Sequence, residues 1–98
     1  MTIDTIKKDG TVTLKIAGRL DTMTAPALET AINELDNSVK DLVLDMSEVE
    51  YISSAGLRVL LSAQKKMNQL GSMRLKGVCE NVMEVLEMTG FSDILVIE

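Results

Sequence analysis

The chain has 98 residues, of which 46% are hydrophobic and 26% are charged, and its formal net charge is −5. Because it contains no histidine and only one cysteine, Cys79, the sequence excludes histidine-based acid–base catalysis, histidine-ligated metals, multi-cysteine metal clusters and an internal disulfide. The negative charge and the aromatic content of 2% argue against direct binding of nucleic acid, which depends on cationic side chains and stacking platforms.

The length and apolar content predict one folded domain spanning residues 1–98. No apolar run approaches the ~20 residues of a membrane-spanning helix. The first residues also lack the basic start and apolar stretch of a signal peptide. We therefore expect a cytoplasmic protein with no membrane span, and a monomer, because one core accounts for the apolar residues.

The chain begins with the pattern of a hairpin followed by a helix. Residues 11–16 alternate between polar and apolar side chains, which indicates a strand with one buried face. Asp9-Gly10 predicts a tight turn to a preceding strand over residues 2–7. Thr24 is then expected to be the N-cap of a helix over about residues 25–36.

A buried strand and a long helix follow. Residues 42–44 form a continuous apolar run between two aspartates, which is typical of a strand with helices on both faces of its sheet. The strand is expected to end at Asp45, with a polar loop after it. Helical spacing of leucines predicts a helix over residues 54–70, closed by Gly71 in a left-handed conformation.

The last part of the chain predicts a strand over residues 73–78, a helix over 80–88 closed by Gly90, and a short strand over 94–97. Alternation of strands and helices after a hairpin predicts an α/β fold. Its sheet is expected to be mixed and largely parallel, with four to five strands and helices packed on it.

Sulfur-containing side chains are interpreted as packing residues. Met67, Met83 and Met88 recur at core spacing in the predicted helices and need no cofactor to explain them. Cys79 has no neighbouring histidine or lysine to activate its thiol, so we expect a buried or half-buried apolar residue.

Two adjacent serines stand at the predicted start of the long helix. The pattern places Ser54 as the N-cap or first helical residue, with Ser53 just before it. A helix N-terminus carries about half a positive charge and stabilises an anion, so a phosphate on Ser54 would be tolerated there. Ser54 is therefore either a plain N-cap or the residue of a phosphorylation switch, and the two roles are compatible.

Three further residues have both a structural and a functional interpretation. Gly56 costs the helix ~1 kcal/mol relative to alanine, and it permits close packing on the sheet or close approach of a partner. Arg58 is either solvated or part of a partner interface. Asp21 and Asp45 lie near element ends, where a turn carboxylate is the default, and the sequence does not show whether they meet.

No catalytic constellation is found. Ser54-Ala55-Gly56 is not a nucleophile elbow, and there is no glycine-rich phosphate loop. Ser47 and Glu50 match the spacing of a capping box, but no helical apolar run follows at once, so they do not predict a helix start. We expect a protein that is not an enzyme and that uses no cofactor and no metal.

The block VLDMSEVEYISSAGLRVLL closely resembles the signature of STAS domains, in particular that of bacterial anti-sigma factor antagonists. Gly18-Arg19-Leu20-Asp21 is similar to the family's G-x-L-D element, and Thr89-Gly90-Phe91 to its T-G-[LF] turn. With the element order, the resemblance covers essentially the whole chain.

The resemblance implies binding to an anti-sigma factor that is also an ATP-dependent serine kinase, which frees a sigma factor for transcription. It implies that phosphorylation blocks binding and that a metal-dependent serine phosphatase restores it. The family's D-S-[ST]-G corresponds to residues 53–56, which makes Ser54 the modified residue and Ser53 the second choice, with serine where the family has aspartate. The predicted partner-binding residues are Asp21, Ser53, Ser54, Gly56 and Arg58.

Two alternatives are kept. In the first alternative, the chain is a STAS module of a stress-sensing scaffold or of a membrane transport complex, and its assembly does not depend on phosphorylation. The other alternative is a small-ligand or nucleotide sensor, which no phosphate-binding loop supports.

Overall fold

The chain begins with an antiparallel hairpin. In the computed structural model, which describes residues 1–98, strand β1 (Thr2–Lys8) pairs with β2 (Thr11–Leu20). Asp9 and Gly10 connect them with φ values of 49° and 85°, which are left-handed conformations that a tight hairpin turn requires. The predicted hairpin is confirmed.

Two crossover units follow the hairpin and complete the sheet. The strand order is β1-β2-β3-β4, and β2 with β3 and β3 with β4 are parallel pairs. The predicted α/β class is confirmed, with a mixed sheet of four strands and three α-helices. The elements after the hairpin are α1 (Ala25–Asn33), β3 (Asp41–Ile52), α2 (Ser54–Leu70), β4 (Ser72–Lys76) and α3 (Glu80–Met88).

All three helices cover the same face of the sheet. Their buried apolar residues form one cluster with Leu42, Leu44 and the inward residues of the other strands. Val43 is also buried, but it lies outside that cluster, on the opposite face, in register with Thr13 and Arg74. The expectation of helices on both faces is therefore wrong, because the buried apolar side chains of all three helices belong to the cluster on the other face. None of the helices is long and apolar enough to cross a membrane.

Strand β3 is longer than predicted. It does not end at Asp45 but continues to Ile52, paired with β2 throughout. The register shifts twice, and each shift places one additional residue on β3. Buried residues Met46, Val49 and Ile52 are consequently spaced by three, so this part of the strand lacks the period of two by which strands are recognised.

The predicted last strand is wrong. Residues 91–93 form a short 3₁₀ turn, and the amide N–H groups of Ile94 and Leu95 both donate to the carbonyl of Phe91, at 3.0 and 2.9 Å. These two residues therefore cannot join a ladder. Only Ile97 forms a bridge, parallel to Leu75 of β4.

Helix α2 has the predicted bounds, but Gly71 ends it differently. Its φ of 169° is extended rather than left-handed. A Cβ at Gly71 would lie 1.9 Å from the carbonyl oxygen of Lys40, and that carbonyl accepts the N–H of Ser72 at 2.9 Å. Glycine is required here by close approach of two backbones. Gly90 does adopt the left-handed conformation, with φ of 81°, after α3.

The remaining expectations on packing are mostly met. Helix α1 ends at Asn33, about one turn earlier than predicted. Met67 is fully buried and Met83 is half-buried, but Met88 is 80% exposed, so its assignment to the core is wrong. The inward residues of α3 are Val82 and Leu86, and Met88 lies off their stripe. Cys79 is half-buried, and its thiol donates to the carbonyl of Val49 at 3.4 Å.

Candidate functional site

The starts of α1 and α2 lie together at the carboxyl ends of β2 and β3. Leu20 and Ile52, the last residues of these strands, are partners in the parallel register. The amide N–H of Ser53 donates to the carbonyl of Leu20 at 2.9 Å and joins the two helix starts. This edge of an open α/β sheet is where ligands and partners are commonly bound.

The two serines have different places at the start of α2. Ser53 is the N-cap, with extended backbone, and its Oγ accepts the N–H of Gly56 at 3.5 Å. Ser54 is the first helical residue and is exposed, and no hydrogen bond engages its hydroxyl within the chain. Of the two positions expected for Ser54, the structure confirms that of the first helical residue, and the N-cap is Ser53. Ser54 keeps a free hydroxyl at the positive end of a helix of 17 residues.

Gly56 is buried between α2 and the sheet. A Cβ there would lie 2.8 Å from Cγ of Leu20 and 2.9 Å from Cγ1 of Ile52. These distances are shorter than side chains tolerate, so the glycine lets α2 approach the sheet. Of the two interpretations of Gly56, close packing accounts for it, and any effect on a partner acts through the position of the helix start.

Asp21 organises the turn that leads into α1. Its Oδ1 accepts the N–H groups of Met23 and Thr24 at 3.0 and 3.1 Å. Thr24 is the N-cap residue, but its side chain makes no cap hydrogen bond to α1, and its Oγ1 instead donates to the carbonyl of Arg19 at 2.6 Å. Partial desolvation raises the pKa of Asp21, but the hydrogen bonds from Thr24 and Met23 and the nearby Arg19 outweigh it and hold that pKa below its ordinary value. An ionised Asp21 thus stabilises this turn.

Sequence reasoning missed two features of this edge. The guanidinium of Arg19 lies 4.1 Å from the centroid of the Tyr51 ring, and its Nε is 3.6 Å from Oδ2 of Asp21. Arg19 was visible in the G-x-L-D element, but only the shifted register of β3 shows that it faces Tyr51. The second feature is Met23, which is 87% exposed at the turn held by Asp21.

A shallow groove runs between the first turns of α1 and α2. Arg58 lines it and is exposed, with no carboxylate within 4.0 Å. The groove thus joins Arg58 to the Asp21 turn through its neighbour Thr22. The lining residues are Thr22, Ala25, Pro26, Glu29, Ala55, Arg58 and Val59.

The two aspartates of the sequence hypothesis do not meet. Asp45 lies beside Lys15 in the middle of β2, whereas Asp21 follows the end of that strand. Hydrogen bonds from the hydroxyl and N–H of Ser47 lower the pKa of Asp45 and account for it locally. The structure places no group of three or more acidic or cysteine side chains where they could hold a metal ion. All five predicted site residues lie at the edge of the sheet where α1 and α2 begin, namely Asp21, Ser53, Ser54, Gly56 and Arg58.

A family model described as the STAS domain matches residues 2–98. The chain belongs to the STAS domain family. This match confirms the family that the block before and within α2 indicated. The sheet with its three helices is also the fold of the family's solved members.

The STAS domain is similar to proteins named as anti-sigma factor antagonists. It is 29% identical over 94 residues to the anti-sigma-B factor antagonist of Bacillus subtilis strain 168, covering 95% of this chain and 86% of the relative. An anti-sigma factor antagonist from Mycobacterium paratuberculosis has a crystal structure with a TM-score of 0.88 and 28% identity, covering 98% of this chain and 83% of that one. These similarities support an anti-sigma factor antagonist role.

The same fold occurs in a more distant protein. The Bacillus cell fate determinant SpoIIAA, solved in its phosphorylated form, has a TM-score of 0.77 at 14% identity, covering 99% of this STAS domain and 91% of that chain. At this identity the likeness concerns the fold alone.

Proposed function

We propose that this STAS domain is a cytoplasmic anti-sigma factor antagonist that binds an anti-sigma factor and thereby releases a sigma factor. The observation that carries the proposal is the start of α2, where Ser54 is exposed with a free hydroxyl while Ser53 does the capping. The chain is similar over nearly its whole length to proteins named anti-sigma factor antagonists, which supports the same role. The domain acts by binding and not by catalysis.

The interface of the proposal is the edge that carries the two helix starts. Ser54, Arg58 and the turn at Asp21 would face the partner, with Met23 as an exposed apolar contact. Ser53 and Gly56 act from beneath, since one caps α2 and the other sets its approach to the sheet. These residues present a surface without a built cavity, which suits a protein partner better than a small ligand.

Phosphorylation of Ser54 switches the interaction off. The γ-phosphoryl group of ATP passes to Ser54 Oγ in the anti-sigma factor's kinase site. The bond to the bridging oxygen breaks, ADP leaves, and the hydroxyl proton goes to a base of the kinase. The phosphate adds a charge of about −1.5 to −2 to a chain already at −5. An unpaired or like-charge contact costs an interface several kcal/mol. A serine phosphatase returns the free hydroxyl by hydrolysis.

The test combines the domain with the anti-sigma factor of its own genome and Mg-ATP, followed by mass spectrometry of the modified residue and titration of the complex. We expect phosphate on Ser54, binding retained in Ser54→Ala, and binding at least tenfold weaker in Ser54→Asp. Gln69→Glu is the matched control, because Gln69 is exposed near the far end of the same helix and should bind normally.

Two results would contradict the proposal. Phosphate on Ser53 would show that the wrong hydroxyl has been assigned. An absence of both phosphate and binding would favour a STAS module of a scaffold or transport complex, which assembles without phosphorylation.

A further inference from the structure

Arg58 lies one helical turn beyond Ser54 on the exposed side of α2. Helix α2 is continuous from Ser54 to Leu70, and the side chains of Ser54 and Arg58 are both exposed. Residues four apart in an α-helix share a face, with Cβ atoms about 5–6 Å apart. The guanidinium of Arg58 is therefore within reach of a group attached to Ser54 Oγ.

Arg58 is also the uncommitted arginine of this edge. Ion pairs join Lys15, Arg19 and Arg74 to acidic side chains, and none includes Arg58. Arg19, the other arginine nearby, is held by Asp21 and by the ring of Tyr51. To reach a new anion at Ser54, Arg19 would have to break these contacts, whereas Arg58 would have no ion pair to break.

We propose that a phosphate on Ser54 pairs with Arg58 and draws its guanidinium out of the groove between α1 and α2. The inference rests on the proposed phosphorylation of Ser54 and states how that modification changes the surface. A guanidinium donates two parallel hydrogen bonds to phosphate oxygens, which makes this pair stronger than one with a neutral hydroxyl.

The groove changes its charge as a result. Arg58 and Glu29 are the only charged residues among those that line it. When Arg58 turns towards the phosphate, Glu29 is left without an opposing cation, and the groove becomes acidic. One modification then alters two neighbouring features, the charge at the helix start and the charge of the groove.

The test uses the full chain with phosphoserine installed at position 54 during synthesis, so that no kinase is needed. The ³¹P chemical shift is followed against pH in the parent chain and in Arg58→Gln, Arg58→Lys and Arg19→Gln. The charged groups around the phosphate are Arg58 on α2, Arg19 and Asp21 at the end of β2, and Glu29 on α1.

We expect the phosphate of the parent chain to titrate at a lower pH than that of Arg58→Gln, by about 0.3 pH unit. The midpoint of Arg58→Lys should lie between those of the parent chain and Arg58→Gln. The midpoint of Arg19→Gln should equal that of the parent chain. The difference should shrink between about 0.05 and 0.5 M NaCl, since salt screens an exposed pair.

Equal midpoints in the parent chain and Arg58→Gln would overturn the proposal. Loss of the shift in Arg19→Gln alone would overturn it too, because the phosphate would then pair with Arg19. Since the phosphate is installed chemically, the titration decides this proposal even where the kinase assay on Ser54 fails.

Discussion

At the scale of single residues, Gln64 is the polar side chain that the core accepts with an unmet hydrogen bond. It is only 7% exposed on α2. Its Nε2 donates to Oδ1 of Asn68 at 2.8 Å, whereas its buried Oε1 has no partner. A buried acceptor without a partner costs about 1–3 kcal/mol.

Replacement of Gln64 by methionine is expected to raise the free energy of unfolding by about 1 kcal/mol. The thioether fills a similar volume and needs no hydrogen bond, while the exposed Asn68 regains water. Urea unfolding of Gln64→Met beside Gln69→Met measures this, since Gln69 is exposed on the same helix and its change should be near zero. A loss of stability in Gln64→Met would show that Oε1 has a partner after all.

Single residues differ in how far the sequence alone predicts their position and contacts. The two serines could be placed at a helix start because caps follow local rules, and Ser54 was found in this way. The pairing of Arg19 with Tyr51 could not, because it depends on a register between strands that are distant in the chain. Gln64 gave no signal at all, since a glutamine in an amphipathic helix is ordinarily exposed.

At the scale of elements, the junction between α2 and β4 is sensitive to a single methyl group. We expect Gly71→Ala to lower the free energy of unfolding by about 3 kcal/mol or more, because its Cβ would press on rigid backbone. The contact in question is with the carbonyl of Lys40, which leads into β3.

Gly90→Ala is the matched comparison. A methyl group on Gly90 would meet nothing within 4 Å, but the residue holds φ at 81°, so only backbone strain is added, about 1–2 kcal/mol. Thermal or urea unfolding of both variants separates the two causes. Equal losses would mean that the chain at Gly71 moves away from Lys40 at little cost.

Periodicity predicted most elements and failed where pairing overrides it. The bounds of α2 and α3 follow from helical spacing and match the structure. The second half of β3 was missed because two register shifts space Met46, Val49 and Ile52 by three. The final strand was predicted from apolar residues alone, which do not distinguish a ladder from a turn.

At the scale of the whole molecule, three carboxylates make folding sensitive to acid. Asp36 and Asp45 have lowered pKa values because the hydroxyl and N–H of Ser38 and Ser47 donate to them. Asp21 has a lowered pKa although desolvation opposes it, because Thr24 and Met23 donate to it. Each of these aspartates has an ordinary value of 3.8.

Since the folded pKa of each group is below the unfolded one, its stabilising effect is complete above the unfolded value and is lost as pH falls through the folded value. We expect urea midpoints to be nearly constant from pH 7 to 5 and to fall below about pH 4. The variant with asparagine at all three positions should show a shallower fall. An identical pH profile for both chains would contradict this assignment.

The position of Met1 has a practical consequence for work with the domain. Thr2 pairs with Ala17 near the end of β2, and the next residue of that strand, Gly18, lies against Met1, so close that a Cβ on Gly18 would be 3.2 Å from the Cα of Met1. Ile97 instead bridges to Leu75 on the far strand of the sheet. An affinity tag or fluorescent protein fused ahead of Met1 would emerge at the edge that carries Ser54 and crowd a partner, whereas the same fusion after Glu98 would start near the level of Leu44, eight residues before β3 reaches that edge.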